Sequence, residues 1–247
     1  MKTTKKIITS IIMLMFFASI GFAQKSLTIN FPESLIKFRD DSMNNANKSL
    51  DYYTSAYDKL VKEINSIYKG NEKEILLARS EYFMGRIVGF KGERKDGEQY
   101  FDSAIERCKK ILKSEEMAEA YLVYAECISQ NCTSKNKVYA LSNGPKIKTF
   151  SQKALDIDSK YGAAKHAYNL QNIYTPAPFN NYEEGIQCLE ELLFTDKYRK
   201  DNFDMFMICT SMVYVYQQQK NPQQTQYWAK KGLEIYPENQ FLLDILK

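Results

Sequence analysis

EYFMGRIVGFKGERKDGEQYFDSAIERC, residues 81–108, sets Gly85 and Gly97 twelve positions apart, with Phe101 four residues further on and Ala104 three beyond that. Apolar residues recur in it at steps of three and four, the period of a helix buried on one face. The glycines interrupt this pattern where two successive helices would cross. Only Gly, Ala or another small residue fits at such a crossing, and larger side chains seven or eight positions away fill the space beside it. The segment therefore predicts two helices joined by a short turn and held in close contact.

The same spacing returns along the chain. Near the end, Met212-Val213 and Tyr216 fall on one helical segment and Thr225, Ala229, Gly232-Leu233 and Pro237 on the next. SQKALDIDSKYG (151–162) carries Ala154-Leu155, and GIQCLEELL (185–193) places Gly185, Leu189 and Leu192-Leu193 in equivalent roles. Four occurrences in one frame predict stacked helix pairs. Each pair leaves one apolar face uncovered, so several must stack and the ends need covering.

Helical periodicity extends to segments near 33–46, 49–69, 72–91, 96–113, 117–130, 145–157, 161–175, 182–195, 201–219 and 222–235, with a last one from 239. Strand alternation is missing, so the expected fold class is all-α. Breakers mark the joints: Gly70-Asn71, Asn143-Gly144-Pro145, Asn221-Pro222 and Pro237-Glu238-Asn239 each precede an expected helix start. Composition agrees, with six prolines and ten glycines in 247 residues against an abundance of good helix formers. Eighteen tyrosines are unusual, and tyrosine suits half-exposed grooves because it buries its ring and keeps its hydroxyl wet.

The beginning of the chain reads as an address. Lys2, Lys5 and Lys6 precede an almost wholly apolar run from Ile7 to Phe22, and Gly21-Phe22-Ala23 places small residues before Gln24. That is the pattern of a cleaved secretory signal, and it predicts an exported protein, periplasmic or secreted, starting at Gln24. No cysteine near the cleavage site offers a lipid attachment point, and no second apolar run predicts a membrane span. Loss of the three lysines takes the basic count from 34 to 31 against 30 acidic residues, a net charge of +1. With no basic stripe interleaved with aromatics, no nucleic-acid partner is expected. The expected organisation is a signal over 1–23, a helical cap over 24–71 and a repeat domain over 72–247.

Catalytic machinery is missing from the inventory. His166, in the helix segment AAKHAYN, is the only histidine and reads as a helical surface residue. No phosphate-cradling glycine loop, zinc-protease motif or carboxylate cluster occurs, and Glu183-Glu184 falls at a helix start where it complements the dipole. Cys108, Cys127, Cys132, Cys188 and Cys209 are odd in number and match no zinc spacing. Four of them fall among apolar neighbours as small core residues. Cys127 and Cys132 are close enough in sequence to bridge a helix end, and the sequence leaves that open. The expectation is a non-enzymatic protein without cofactor or metal.

Residues 146–193, KIKTFSQKALDIDSKYGAAKHAYNLQNIYTPAPFNNYEEGIQCLEELL, carry a further likeness. Together with the repeat spacing, the block resembles a family of exported bacterial tetratricopeptide-repeat proteins that includes the TRAP-transporter-associated ones. Ala154-Leu155, Asp158, Tyr174, Pro176, Pro178 and Phe179 match the family's pattern, while Asn180-Asn181 stand where glycines are usual. The likeness covers roughly residues 75–247 and implies a tetratricopeptide-like solenoid of antiparallel helix hairpins. It implies a partner polypeptide in the concave groove or, alternatively, a small apolar or amphipathic molecule held within the stack of a solute-transporter accessory. In that frame the first helix of each repeat turns a fixed set of side chains inward: Arg79, Tyr82 and Arg86; Glu119, Leu122 and Glu126; Lys165, Tyr168 and Asn172; Met207, Thr210 and Tyr214.

The proline-containing loop has its own reading. Thr175 and Ala177 each precede a proline and are driven toward extended backbone, while Asn180-Asn181 are the residues after glycine that best tolerate a left-handed turn. A wedge between two helices follows, with a binding role open to it because loops on rigid scaffolds carry function.

Overall fold

The computed structural model describes residues 30–247. The expected export signal and its expected cleavage site lie outside the described residues. Eleven α-helices follow one another there: α1 (Glu33–Met43), α2 (Leu50–Ile67), α3 (Gly70–Lys91), α4 (Glu98–Leu112), α5 (Ala118–Ser134), α6 (Lys137–Ile157), α7 (Gly162–Tyr174), α8 (Tyr182–Phe194), α9 (Asn202–Gln218), α10 (Pro222–Ile235) and α11 (Gln240–Ile245). A 3₁₀ turn, Arg94–Gly97, joins α3 to α4. No strand forms among the described residues, and the expected all-α class holds.

The turn residues explain most of the boundaries. Gly70 opens α3 at a φ of 57°, a conformation that glycine adopts without strain. Asn221 accepts the Gln224 N–H at 3.1 Å and Pro222 follows at the first helical position, where its missing N–H has no partner to lose. Asn239 likewise accepts the Leu242 N–H at 3.1 Å to start α11.

One expected joint is overturned. Asn143-Gly144-Pro145 does not end a helix but lies inside α6, which begins eight residues earlier than Pro145, at Lys137. Asn136 caps it by accepting the Tyr139 N–H at 2.9 Å. A helix nucleated at that cap runs through Pro145 at the loss of one backbone hydrogen bond. Gly144, with nothing near its absent Cβ, adds no packing of its own.

Close approach at the small residues is where the opening segment puts it. A Cβ on Gly97 would press into the Gly85 carbonyl oxygen, and one on Gly85 would lie 2.7 Å from the Phe101 ring. Ala104, Ala154 and Ala229 are fully buried at corresponding positions. Ala154 belongs to a small cluster with Tyr121, Leu122, Ala164 and Ala167 that joins α5, α6 and α7. Ala154→Leu is therefore expected to lower stability by about 1–2 kcal/mol, since three added carbons have no void to enter. A thermal melt checks it against Lys160→Ala, a solvent-facing change expected to be nearly silent.

Helix α3 is the centre of the molecule. From Ile75 to Val88 nearly every side chain is buried, the pattern of a helix covered on all sides. It packs on α1, α2, α4 and α5, and Phe83 meets Phe203 of α9 edge-on at 5.4 Å between ring centroids. The two ends of the described chain also meet. Ala46 N–H donates to the Glu238 carbonyl at 2.9 Å, the Asn239 side-chain amide donates to the Met43 carbonyl at 2.8 Å, and the Tyr236 hydroxyl donates to Asp40 at 2.7 Å. A linear stack has contacts only between neighbours. Here the two ends of the described chain join across almost 200 residues, beside a deep and partly open chamber on the inner face.

Candidate functional site

The chamber is a cavity of about 1000 Å³ with contributions from α3, α5, α6, α7, α9, α11 and the turn after α1. Its wall is mostly apolar, with Ile87, Ile147, Leu170, Phe206 and Met207 among the side chains that reach it. Phe90, Leu141, Tyr174 and Phe241 border it and remain substantially exposed.

Of the twelve side chains expected to face inward, six line this cavity: Tyr82, Arg86, Glu126, Met207, Thr210 and Tyr214. Three others are corrected inward, into the core. Arg79, Glu119 and Leu122 are 4%, 3% and 0% exposed. Arg79 donates from Nε to Glu119 Oε1 at 2.7 Å and also pairs with Glu126, while the Tyr161 hydroxyl donates to the second Glu119 oxygen. Burial opposes the Arg79 charge, but the two carboxylates outweigh that and hold the guanidinium well above its usual pKa. Burial likewise drives the Glu126 carboxyl upward against the pull of Arg79. These residues form a buried charge network beneath the cavity floor, of which Glu126 alone reaches the cavity.

The remaining three, Lys165, Tyr168 and Asn172, are corrected outward. The ammonium groups of Lys148 and Lys165 sit over the Tyr168 ring at 4.8 and 5.8 Å, and the Asn172 amide donates to Asn169 at 3.1 Å. Instead Ala167, Leu170 and Tyr174 face the cavity, the same spacing displaced by two residues. The rotation of α7 is set by Asn169, buried and donating to the Gly185 carbonyl of α8 at 2.9 Å. The apolar run Ala164, Ala167, Leu170 carried this signal in the sequence, and the imposed repeat frame hid it.

Sequence reasoning also misplaced His166, which is not a surface residue: it is 8% exposed and lines the cavity. Its Nε2 lies 2.9 Å from the Ser211 hydroxyl, which also contacts the Tyr174 hydroxyl at 3.2 Å. Burial, with a smaller push from the Arg86 charge, lowers the imidazole pKa to about 4. The ring is therefore neutral at physiological pH. Between pH 6.5 and 4 the unfolded chain takes up a proton that the folded chain refuses, so this residue's contribution to stability is lost as pH falls through that window. As the only histidine, its ring-proton NMR resonance is unambiguous, and its midpoint is expected near pH 4, moving upward in Arg86→Gln. A midpoint near the ordinary value of 6.5 would show a solvated ring.

Arg86 is the cavity's distinctive polar group. Its Nη1 is 3.3 Å from the Tyr82 hydroxyl and 3.3 Å from the Met207 sulfur, and its guanidinium carbon sits over the Tyr82 and Phe203 rings at 5.6 and 6.0 Å. No carboxylate of the described residues lies within ion-pair distance of it. Glu126 is held by Arg79, and Lys135, on the same wall, is held by Asp102 at 2.6 Å.

Elsewhere the proline-containing loop matches its reading in part. Thr175 is extended at φ −71° and ψ 137°, and Pro176 touches the cavity. Neither asparagine is left-handed; Asn181 has φ −140° and instead caps α8 by accepting the Glu184 N–H at 3.2 Å. A capping side chain satisfies an orphan helix donor without a positive φ. All five cysteines are free, so Cys127 and Cys132 are unbridged, and Cys132 faces the cavity.

Comparison with protein-family models, curated proteins and solved structures finds no match for this chain. Among the described residues no helix is long and apolar enough to cross a membrane, and no group of three or more metal-ligating side chains assembles.

Proposed function

We propose that this protein is an exported, non-enzymatic carrier that holds a small amphipathic molecule inside a stack of tetratricopeptide-like helix pairs, α3 with α4, α5 with α6, α7 with α8 and α9 with α10. The observation that carries the reading is the cavity itself. At about 1000 Å³ it is at the upper end of the range for small-molecule sites, and its mostly apolar wall with a few convergent polar groups has their usual composition. An apolar wall of this extent left to water forfeits burial, so an occupant that covers it stabilises the fold.

A partner polypeptide in an open groove fits this arrangement less well. The hydrogen bonds between residues 40–46 and 236–240 tie the ends of the described chain together at one border of the cavity, which Asn45 and Asn239 line, whereas an open groove has free ends. The resemblance to transporter-associated repeat proteins supplies a use for such a carrier, the handing of a solute to a membrane permease.

Uptake of the neutral fluorophore N-phenyl-1-naphthylamine tests the reading. The wild type is expected to enhance its emission with saturation at one or two equivalents. Leu170→Trp, which narrows the chamber from α7, should weaken the enhancement while the helical circular-dichroism signal persists. Wild-type protein that leaves the fluorophore dark would refute the carrier reading.

A further inference from the structure

The carrier reading leaves the chemistry of the occupant open, and the charges on the cavity wall narrow it. Arg86 projects from α3, the most deeply buried helix, and its guanidinium sits over the Tyr82 and Phe203 rings. Stacking of this kind holds a guanidinium in one orientation and reduces the freedom that binding must remove. Only Nη1 has polar contacts, to the Tyr82 hydroxyl and the Met207 sulfur. Nε and Nη2 donate to no described group, yet neither is a sealed, unpartnered atom. They are donors spaced as a fork, on a side chain that lines the chamber.

The other charges on the wall are already committed or lie at its edge. Glu126 is occupied by Arg79, Lys135 by Asp102, and Lys137 stands exposed at the first turn of α6. His166 is the remaining titratable base, engaged with Ser211. An arginine facing an apolar chamber with no carboxylate in ion-pair distance is costly unless something negative completes it. Low polarity around it strengthens its attraction for an anion that enters.

We infer that the occupant is an amphipathic anion, its apolar body in the chamber and its negatively charged head held in two parallel hydrogen bonds by Nε and Nη2 of Arg86. The guanidinium fork matches a head with two coplanar acceptor oxygens, as a carboxylate presents, and a phosphate offers the same pair. The inference rests on the carrier reading, and the following experiment separates the two.

With N-phenyl-1-naphthylamine bound, dodecanoate, dodecyl phosphate, dodecanol and dodecylamine are titrated at pH 7.5 below their micellar concentrations. Dodecanoate is expected to displace the fluorophore at a concentration at least tenfold lower than dodecanol, and dodecylamine to be weaker than both. Arg86→Gln, scored by the ratio of dodecanoate to dodecanol displacement within the variant itself, should lose the preference for dodecanoate over dodecanol. Arg86→Lys, which keeps the charge but not the fork, should retain only part of it. A stronger response to dodecyl phosphate than to dodecanoate would assign the head as phosphate within the same inference. Equal displacement by dodecanoate and dodecanol in the wild type overturns the inference while leaving the carrier reading in place, and so does an undiminished preference in folded Arg86→Gln. Failure of the wild type to bind the fluorophore overturns both. The wild-type comparison decides the matter even if the glutamine variant does not fold.

Discussion

Replacing Arg79 with methionine is expected to lower the unfolding free energy by about 3–5 kcal/mol, the cost of stripping one partner from a buried ion pair. Arg79 is the only cation paired with either Glu119 or Glu126 among the described residues, and the side chains of Arg79 and Glu119 are each 4% exposed. Without it, two carboxylates remain inside the protein with the Tyr161 hydroxyl as the chief donor left to them. At this chain length a kcal/mol is roughly 2–4 °C of melting temperature, so the midpoint should fall by about 10 °C. The attraction itself is not the source of the effect; uncompensated desolvation is. Adding Glu119→Leu and Glu126→Leu to Arg79→Met removes the stranded charges and should recover most of the loss. An Arg79→Met variant that melts with the wild type would mean that the network is hydrated rather than buried.

The second large effect is expected at Gly97. Alanine there would force its methyl group against the Gly85 carbonyl oxygen, a backbone atom that cannot rotate aside, with the Phe101 ring 3.1 Å away on another side. Backbone freedom is not the reason, since Gly97 has a φ of −77° that any residue adopts. The cost is separation of α3 from α4 and should reach about 3 kcal/mol, at the upper end for an overpacked core. Gly144→Ala is the matched control. That glycine lies in α6 with nothing within 4 Å of the place an added methyl group would take, so alanine should stabilise the protein by about 0.5–1 kcal/mol through helix propensity and a less flexible unfolded chain. Denaturant unfolding of the two variants measures both signs, and a silent Gly97→Ala would remove the close crossing on which the fold reading rests.

The residues that were legible in the sequence are those whose reason is local. Gly85, Gly97 and Phe101 announce a tight crossing because no other residue types fit one, and Asn221-Pro222 announces a helix start because both groups act within one turn. Pro145 misled because a capping asparagine nine residues upstream had already started the helix. A proline resists a helix most where the helix must continue from nothing, and α6 was under way. The rotation of α7 follows its own apolar run, Ala164, Ala167 and Leu170, and is held by a bond from Asn169 to the Gly185 carbonyl, sixteen residues on; the run was legible, but the repeat frame overrode it.

The candidate site was legible by halves for the same reason. Arg86, Glu126 and the α9 residues Met207, Thr210 and Tyr214 follow from helices whose inner face agrees with the repeat frame. The joining of the two chain ends beside the chamber does not follow from it. That joining depends on Asp40, Asn44 and Asn45 finding partners at Tyr236, Glu238 and Gln240, polar contacts that leave no pattern in either segment alone. His166 belongs to the same class. A lone histidine among alanines reads as solvated until the helix that covers it, α9 with Ser211, is in place.

Native mass spectrometry of the protein purified from its own cells without denaturation tests the central claim most directly, with wild type and Leu170→Trp measured side by side. The account predicts that the wild type carries a low-mass amphipathic species, released on denaturation and identifiable as an anion, and that Leu170→Trp carries less of it. Wild-type protein that is free of any such species and takes up neither N-phenyl-1-naphthylamine nor dodecanoate when they are supplied would contradict it.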